Sequence, residues 1–370
     1  MIYLLSLVAF LISLLFAMVM IPWILTIAHQ LFLYDFPDER KKHQNPVPRI
    51  GGMSFFYCIL FTMFAMFFIS YLFNEPVEQY TLINCFFLSA LLILHTGGLR
   101  DDLIGIRYRY KFFIQIAAAL LIVSSGLYIN HLYGFLSIEA LPVWIGAPFT
   151  VLAIVFIINA MNLIDGIDGL SSGISIFALG IFGILFMQLN EWYYTILAFS
   201  TLGVLCVFFC YNVFGSVSKK KKLFMGDSGS MMLGLILAFL AIKYMQHDPN
   251  VAKPVDNPLV IAVSPFLIPI LDVLRIILSR IKNSKHLFKA DRSHIHHKLI
   301  NMGFSDLMAL VILLFITNAF YYLNFCLSHY ISTSSIFLVD VVIWTSGNMY
   351  LSRLIRKRRN EGKMLIKMDG

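Results

Sequence analysis

Two adjacent carboxylates, Asp101 and Asp102, close the run Gly97-Gly98-Leu99-Arg100-Asp101-Asp102. A second pair, Asp165 and Asp168, stands three residues apart behind Asn159 and Asn162, and Asp227 opens an apolar run in Phe224-Met225-Gly226-Asp227-Ser228-Gly229-Ser230. Acidic groups beside long apolar stretches are costly and are rarely placed without a role. Five of them on one face suit a magnesium ion and a phosphate-bearing substrate, because magnesium takes one or two protein carboxylates and fills its other positions with water and phosphate oxygens. Such an ion neutralises charge on a leaving phosphate. An Asp at a helix start can equally be an N-cap. That alternative suits Asp227 better than the adjacent pair, where like charges repel and one cap needs only one.

Glycines flank every acidic cluster: Gly97 and Gly98, then Gly166, Gly169 and Gly173, then Gly226 and Gly229. Backbone without Cβ can approach phosphate oxygens, and small residues are also common where membrane helices touch. Both readings stand. A further cluster, Lys289-Ala290-Asp291-Arg292-Ser293-His294-Ile295-His296-His297-Lys298, holds three histidines in four residues. Zinc is one reading, but no Cys stands nearby and the surrounding cations suit an anionic phosphate or sugar ligand better; a solvated loop is the plain alternative. The stretch from Asp35 to Gly52, with Lys42 in its basic run, is stiffened by Pro37, Pro46 and Pro48. It could hold a lipid phosphate at the membrane surface or serve as a juxtamembrane anchor.

The elements that must carry these residues are membrane spans. Of 370 residues 59% are hydrophobic and 13% charged, about half the charge of a soluble domain. The apolar residues come in blocks of about twenty, the length that crosses a hydrocarbon core. The pattern predicts an all-α polytopic membrane protein with about 11 (10–11) transmembrane helices, near 2–27, 51–73, 81–98, 112–130, 142–163, 168–188, 192–214, 228–246, 257–280, 306–326 and 331–352. The weakest boundary lies at Asp165-Gly166-Ile167-Asp168. No internal repeat or linker divides the chain, so residues 1–370 read as a single domain. Its motifs fall in loops 28–50, 99–111, 164–168, 215–227 and 281–305.

With eleven spans, all Lys and Arg except Lys243 and Lys253 fall on one side, which makes that side cytoplasmic, the N-terminus outside and the C-terminus inside. The acidic clusters share the cytoplasmic side. The formal charge of +8 is explained by topology and by membrane lipids with anionic headgroups, so nucleic acid is not needed as a partner. The run Lys219 to Lys222 reads as topogenic and lipid-facing. The first span lacks a basic start and a cleavage site and reads as uncleaved. The five cysteines, Cys58, Cys85, Cys206, Cys210 and Cys326, sit within apolar blocks without metal-type spacing.

In this order the segments resemble the polyprenyl-phosphate N-acetylhexosamine-1-phosphate transferases, the WecA- and TagO-type branch of glycosyltransferase family 4, with MraY as distant kin. Five motifs carry the likeness: Asp35 to Gly52, Asp101-Asp102 with Lys111, Asn159 to Gly169, Phe224 to Ser230, and Asp291 to His297. The last reads His-x-His-His, similar to the WecA and TagO branch. The resemblance implies a bacterial inner-membrane enzyme with a cytoplasmic site that uses a UDP-N-acetylhexosamine and undecaprenyl phosphate. UMP is released, the product primes a cell-envelope polysaccharide, and Mg2+ is required, with Mn2+ as substitute. It implies Asp227 and Asn162 as metal ligands, Asp101 as the base that keeps the lipid phosphate deprotonated, and Asp102 beside it. Lys42, Lys111, Asn159, Asp165, Asp168, Arg292, His294, His296 and His297 would bind substrate. A homodimer is compatible with the sequence. The rivals are a transporter, whose carboxylates cluster near the midplane, and a lipid-diphosphate phosphatase.

Overall fold

The computed structural model describes residues 2–35, 46–73, 81–248, 257–284 and 294–360. Its helices are α1 (Ile2–Gln30), α2 (Met53–Leu72), α3 (Leu82–Ile104), α4 (Tyr108–Ser124), α5 (Val143–Ile164), α6 (Leu170–Gln188), α7 (Trp192–Val213), α8 (Gly226–Met245), α9 (Pro258–Val263), α10 (Leu267–Lys282), α11 (Ile295–Asn301), α12 (Asp306–Leu327) and α13 (Thr333–Asn360). Among the described residues nine helical segments are long and apolar enough to cross a bilayer: α1, α2, α3, α5, α6, α7, α8, the α9–α10 stretch and α12. The other two expected spans are helical as well. One is α4, with 17 residues, and the other is α13, which runs on into a basic end at Lys357, Arg358 and Arg359.

Helix α8 is the centre of the bundle. It is apolar on every side between Asp227 and Lys243, the pattern of a helix with no solvent face, and 94% of its span is buried, against 33% for α1 and α12. It packs on α3 and α5, while α1 lies against α7. The outer helices show Tyr3, Leu4, Phe64, Phe68 and Phe315 on the surface, side chains that only a lipid environment would leave exposed in such number.

Several boundaries differ from expectation, each for a local reason. Helix α3 continues through Asp101 and Asp102 to Ile104, so these acids stand on a helix and the expected 99–111 loop shrinks to residues 105–107. The 112–130 stretch leaves the helix at Ser124, and an antiparallel hairpin follows, β3 (His131–Phe135) with β4 (Ile138–Ala140). Gly126 and Gly134 at positive φ supply turns that a helix cannot hold. A second small pairing joins β1 (Tyr34–Asp35) to β2 (Val47–Pro48), Tyr34 facing Pro48. The α9–α10 stretch is broken by a 3-10 turn at Ser264-Pro265-Phe266, where Pro265 offers no N–H to the ladder. Within the expected 281–305 loop, seven residues from Ile295 form α11. The junction at Asp165 is a true break between α5 and α6, with Gly169 at φ +81° opening α6.

Candidate active site

The site is built on the N-terminus of α8. Gly226, at φ +75°, turns the chain into the helix, and a Cβ there would lie 2.3 Å from the Arg49 carbonyl oxygen and 2.5 Å from Asp102 Oδ2. Asp102 reaches across from α3 as a cap. Its Oδ1 accepts from the Asp227 backbone N–H at 2.6 Å, and its Oδ2 accepts from the Ser228 N–H at 3.0 Å and the Ser228 hydroxyl at 2.6 Å. A carboxylate on exposed helix N–H groups is the expected partner of the positive end of the dipole. The capping role considered for Asp227 thus belongs to Asp102, and the Asp227 side chain is left for other partners.

Those partners converge from three elements. Asp227 Oδ2 lies 2.5 Å from Arg49 Nη2, which follows β2, and 3.0 Å from Lys111 Nζ on α4. Asp227 Oδ1 accepts from Asn162 Nδ2 on α5 at 2.6 Å, and the same amide donates to Ser230 Oγ at 2.8 Å. Lys111 also meets Asp101 Oδ2 at 2.7 Å, while Asp101 Oδ1 accepts from the Ile106 N–H at 2.7 Å and tightens the α3–α4 turn. Arg49 Nε stands 3.6 Å from Asp102 Oδ1. Three carboxyl groups therefore face two cations at one end of the bundle, an excess of acid that attracts a further positive charge.

Close backbone contact makes this possible. A Cβ on Gly52 would come within 2.1 Å of the Gly229 nitrogen and 2.3 Å of its Cα. Gly51 and Gly52 donate N–H groups to the Phe224 and Met225 carbonyls at 3.0 and 2.7 Å. At these positions the glycines serve helix approach, and the approach brings Arg49 onto Asp227.

The α5–α6 break carries the next group. Asp168 pairs with Lys222 Nζ at 2.7 Å; that lysine also donates to the Asn212 carbonyl, so one member of the basic run faces inward rather than toward lipid. Asn212 in turn accepts from the Gly169 N–H at 2.6 Å and donates to the Leu223 carbonyl at 2.9 Å. Burial, then the negative charges of Asp168 and Asp227, push the Asp165 carboxyl up to about 7. The histidine cluster docks on the same break: a Cβ on Gly166 would lie 2.3 Å from His296 Nε2. The His296 ring is tilted against His297, ring centres 4.2 Å apart, and lies nearly parallel to His294 at 5.7 Å. His294 Nδ1 lies 2.8 Å from Asp272 Oδ2 on α10, whose other oxygen accepts from Arg275 Nη2 at 2.8 Å. Among the described residues no three His, Cys, Asp or Glu gather as a metal-holding group.

Of the expected site residues, Asp101, Asp102, Asp227, Asn162 and Lys111 meet directly, and Asp165, Asp168, His294, His296 and His297 gather at the adjoining break. Asn159 does not reach the acids: its amide donates to Gln115 Oε1 on α4 at 2.6 Å and to the Val155 carbonyl at 2.7 Å. It lies one turn further from the helix end than Asn162. Lys42 and Arg292 lie outside the described residues. Arg49, Ser228, Lys222 and Asp272 belong to the assembly and were not among the residues singled out from the sequence. The acids sit at helix ends, Asp101 in the last turn of α3 and Asp227 in the first of α8, not midway along the helices as in transporters.

The glycosyl transferase family 4 profile matches residues 84–245. The chain is similar to a probable undecaprenyl-phosphate N-acetylglucosaminyl 1-phosphate transferase of Bacillus subtilis, 31% identical over 342 residues, 92% of this chain and 86% of that one. It is 29% identical over 289 residues to the undecaprenyl-phosphate alpha-N-acetylglucosaminyl 1-phosphate transferase of Yersinia pestis, covering 78% of this chain and 74% of that one. A decaprenyl-phosphate N-acetylglucosaminephosphotransferase of Mycobacterium leprae is 29% identical over 295 residues, 75% of this chain and 73% of that one.

Proposed function

This chain belongs to glycosyl transferase family 4, and from that premise we infer that it transfers an N-acetylhexosamine 1-phosphate from a UDP-sugar to undecaprenyl phosphate, releasing UMP. The product is the first lipid-linked sugar of a cell-envelope polysaccharide. The observation that carries the reading is the meeting of Asp101, Lys111, Asn162 and Asp227, from four different helices, at one end of the bundle. Eleven spans, an outward N-terminus and a cytoplasmic C-terminus and site in a bacterial inner membrane complete the proposal, supported by the shared side of the basic residues.

The donor set fits magnesium. Asp227 and the Asn162 side-chain carbonyl are hard oxygen ligands on packed helices, held together by the amide N–H bond to Asp227 Oδ1, and the place that Arg49 and Lys111 take on Asp227 Oδ2 is one that suits positive charge. These two residues would hold the ion. Magnesium, when bound, supplies charge neutralisation on the diphosphate and its leaving group.

The protein's own part is positioning, since phosphoryl transfer needs little covalent help. Asp102 fixes the start of α8 and with it Asp227. Lys111, shared by Asp101 and Asp227, would donate to a phosphate oxygen in exchange for one of them, and Asp101 would keep the acceptor phosphate deprotonated. Asp165 and Asp168 form the nucleotide side, while Lys42, Arg292, His294, His296 and His297 hold phosphate or sugar. The acceptor phosphate attacks the β-phosphorus in line. A covalent aspartyl intermediate would instead allow exchange of labelled UMP into the UDP-sugar without lipid.

The test supplies membranes containing the protein with undecaprenyl phosphate, magnesium and a panel of UDP-sugars, and scores UMP and glycolipid. Release of inorganic phosphate without UMP would make it a phosphatase instead.

A further inference from the structure

Beside the histidine cluster, the middle of α10, the short helix α11 and the second half of α13 line an open cavity of about 310 Å³, bordered by Arg275, Lys298, Arg353, Arg356 and the polar and thioether side chains between them. Four cations and no carboxylate line it. Its volume is at the lower end of small-molecule sites. Lys298 Nζ is held toward it by Asn348 Oδ1 at 3.1 Å and Ser352 Oγ at 3.0 Å, which leaves one of its three N–H donors for a ligand. Burial, followed by repulsion from Arg275, lowers the Lys298 ammonium to about 8. A bound anion would relieve both.

The surroundings set the depth. Leu274, Leu278 and Ile281 on α10 and Met349 and Tyr350 on α13 are exposed apolar side chains next to this cavity in sequence. On α13 they give way within two turns to Arg353, Arg356 and Lys357. That succession is the boundary between acyl chains and headgroups, where basic pockets between helices take lipid phosphates. The cavity is joined to the candidate site by two short routes. Lys298 directly follows His297 on α11, and Arg275 holds Asp272, which holds His294.

We propose that this cavity binds the phosphate of an anionic phospholipid headgroup, and that the bound lipid steadies α11 and the histidines it carries. A phosphomonoester such as undecaprenyl phosphate offers related chemistry. The diester phospholipid is favoured because it is the abundant anion at this depth, and because the acceptor phosphate has its own place near Asp101.

The experiment reads binding and does not depend on the transferase reading. The full chain is purified, exchanged into nanodiscs of phosphatidylcholine with rising fractions of phosphatidylglycerol, and retained lipid is counted by native mass spectrometry. The wild type is expected to retain phosphatidylglycerol in preference to phosphatidylcholine. Arg353→Gln/Arg356→Gln, which alters two exposed side chains, should weaken that retention about thirtyfold, the loss expected for two interfacial cations. Lys357→Gln/Arg359→Gln, the same charge change on the same helix outside the cavity, should not. Equal retention by wild type and both variants overturns the proposal, as does equal loss in both variants, which would mean diffuse attraction. Displacement of phosphatidylglycerol by undecaprenyl phosphate at equal concentration would reassign the cavity to the acceptor and overturn the phospholipid assignment.

Discussion

Asp102→Asn tests whether this carboxylate positions α8. Asparagine keeps a single acceptor oxygen. Seated on the Ser228 side, that oxygen retains both Ser228 bonds and turns the amide toward the Asp227 N–H, donor against donor. The bond lost is one to a charged acceptor, about 1.5–3 kcal/mol, and removing negative charge from a helix N-terminus adds about 0.3–2 kcal/mol. Together the substitution should cost roughly 2–5 kcal/mol, a fall of about 3–6 °C in melting temperature for a chain of this size. Release of the cap lets Asp227 move, and a displacement of about 1 Å lowers turnover roughly a hundredfold. Melting in detergent and UMP release should therefore fall together. An unchanged melting temperature with activity lost by more than a thousandfold would refute the capping argument and put Asp102 in the chemistry itself.

The Asp165 carboxyl, raised from 3.8 to about 7, holds its proton more tightly in the folded chain, so its contribution to stability is complete below about pH 4 and is lost as pH rises through 7. Asp165→Asn should remove that slope, gaining on the wild type in melting temperature between about pH 5 and 8. Gly52→Ala places a methyl group 2.1 Å from the Gly229 nitrogen; a backbone neighbour cannot step aside, and a loss of at least about 1–3 kcal/mol is expected in denaturation of the purified protein. Chelation should abolish UMP release and magnesium should restore it in the wild type, whereas Asp227→Ala should remain inactive at any magnesium concentration while keeping its fold by circular dichroism.

Much of this was legible from residue types. Carboxylates beside apolar runs are expensive, and that cost alone pointed to Asp101, Asp102 and Asp227. Arg49 escaped notice because a cation in a juxtamembrane loop is already explained by topology; only the Gly52–Gly229 contact shows that it lands on Asp227. Asp272 is one acid in the run Leu-Ile-Pro-Ile-Leu-Asp-Val-Leu, and nothing local says that His294, 22 residues later, will meet it. Asn159 and Asn162 share a helix face, but three residues are about 4.5 Å along the axis, enough to give Asn159 to Gln115 and leave Asn162 for Asp227. The β3–β4 hairpin falls between two expected spans, where strands of five and three residues are too short for a periodicity to show. Helix α11 is shorter than any periodicity can reveal.

The near-complete enclosure of α8 bears on the order in which the molecule comes into being. Arg49, Asp101, Asp102, Lys111 and Asn162 all leave the ribosome before Gly226 does, so until α8 is threaded between α3 and α5 these groups lack the carboxylate that joins them. The Arg49 guanidinium and the Lys111 ammonium would then have only Asp102 and Asp101 beside them. Insertion of the eighth helix is thus at once the step that closes the bundle and the step that assembles the candidate site.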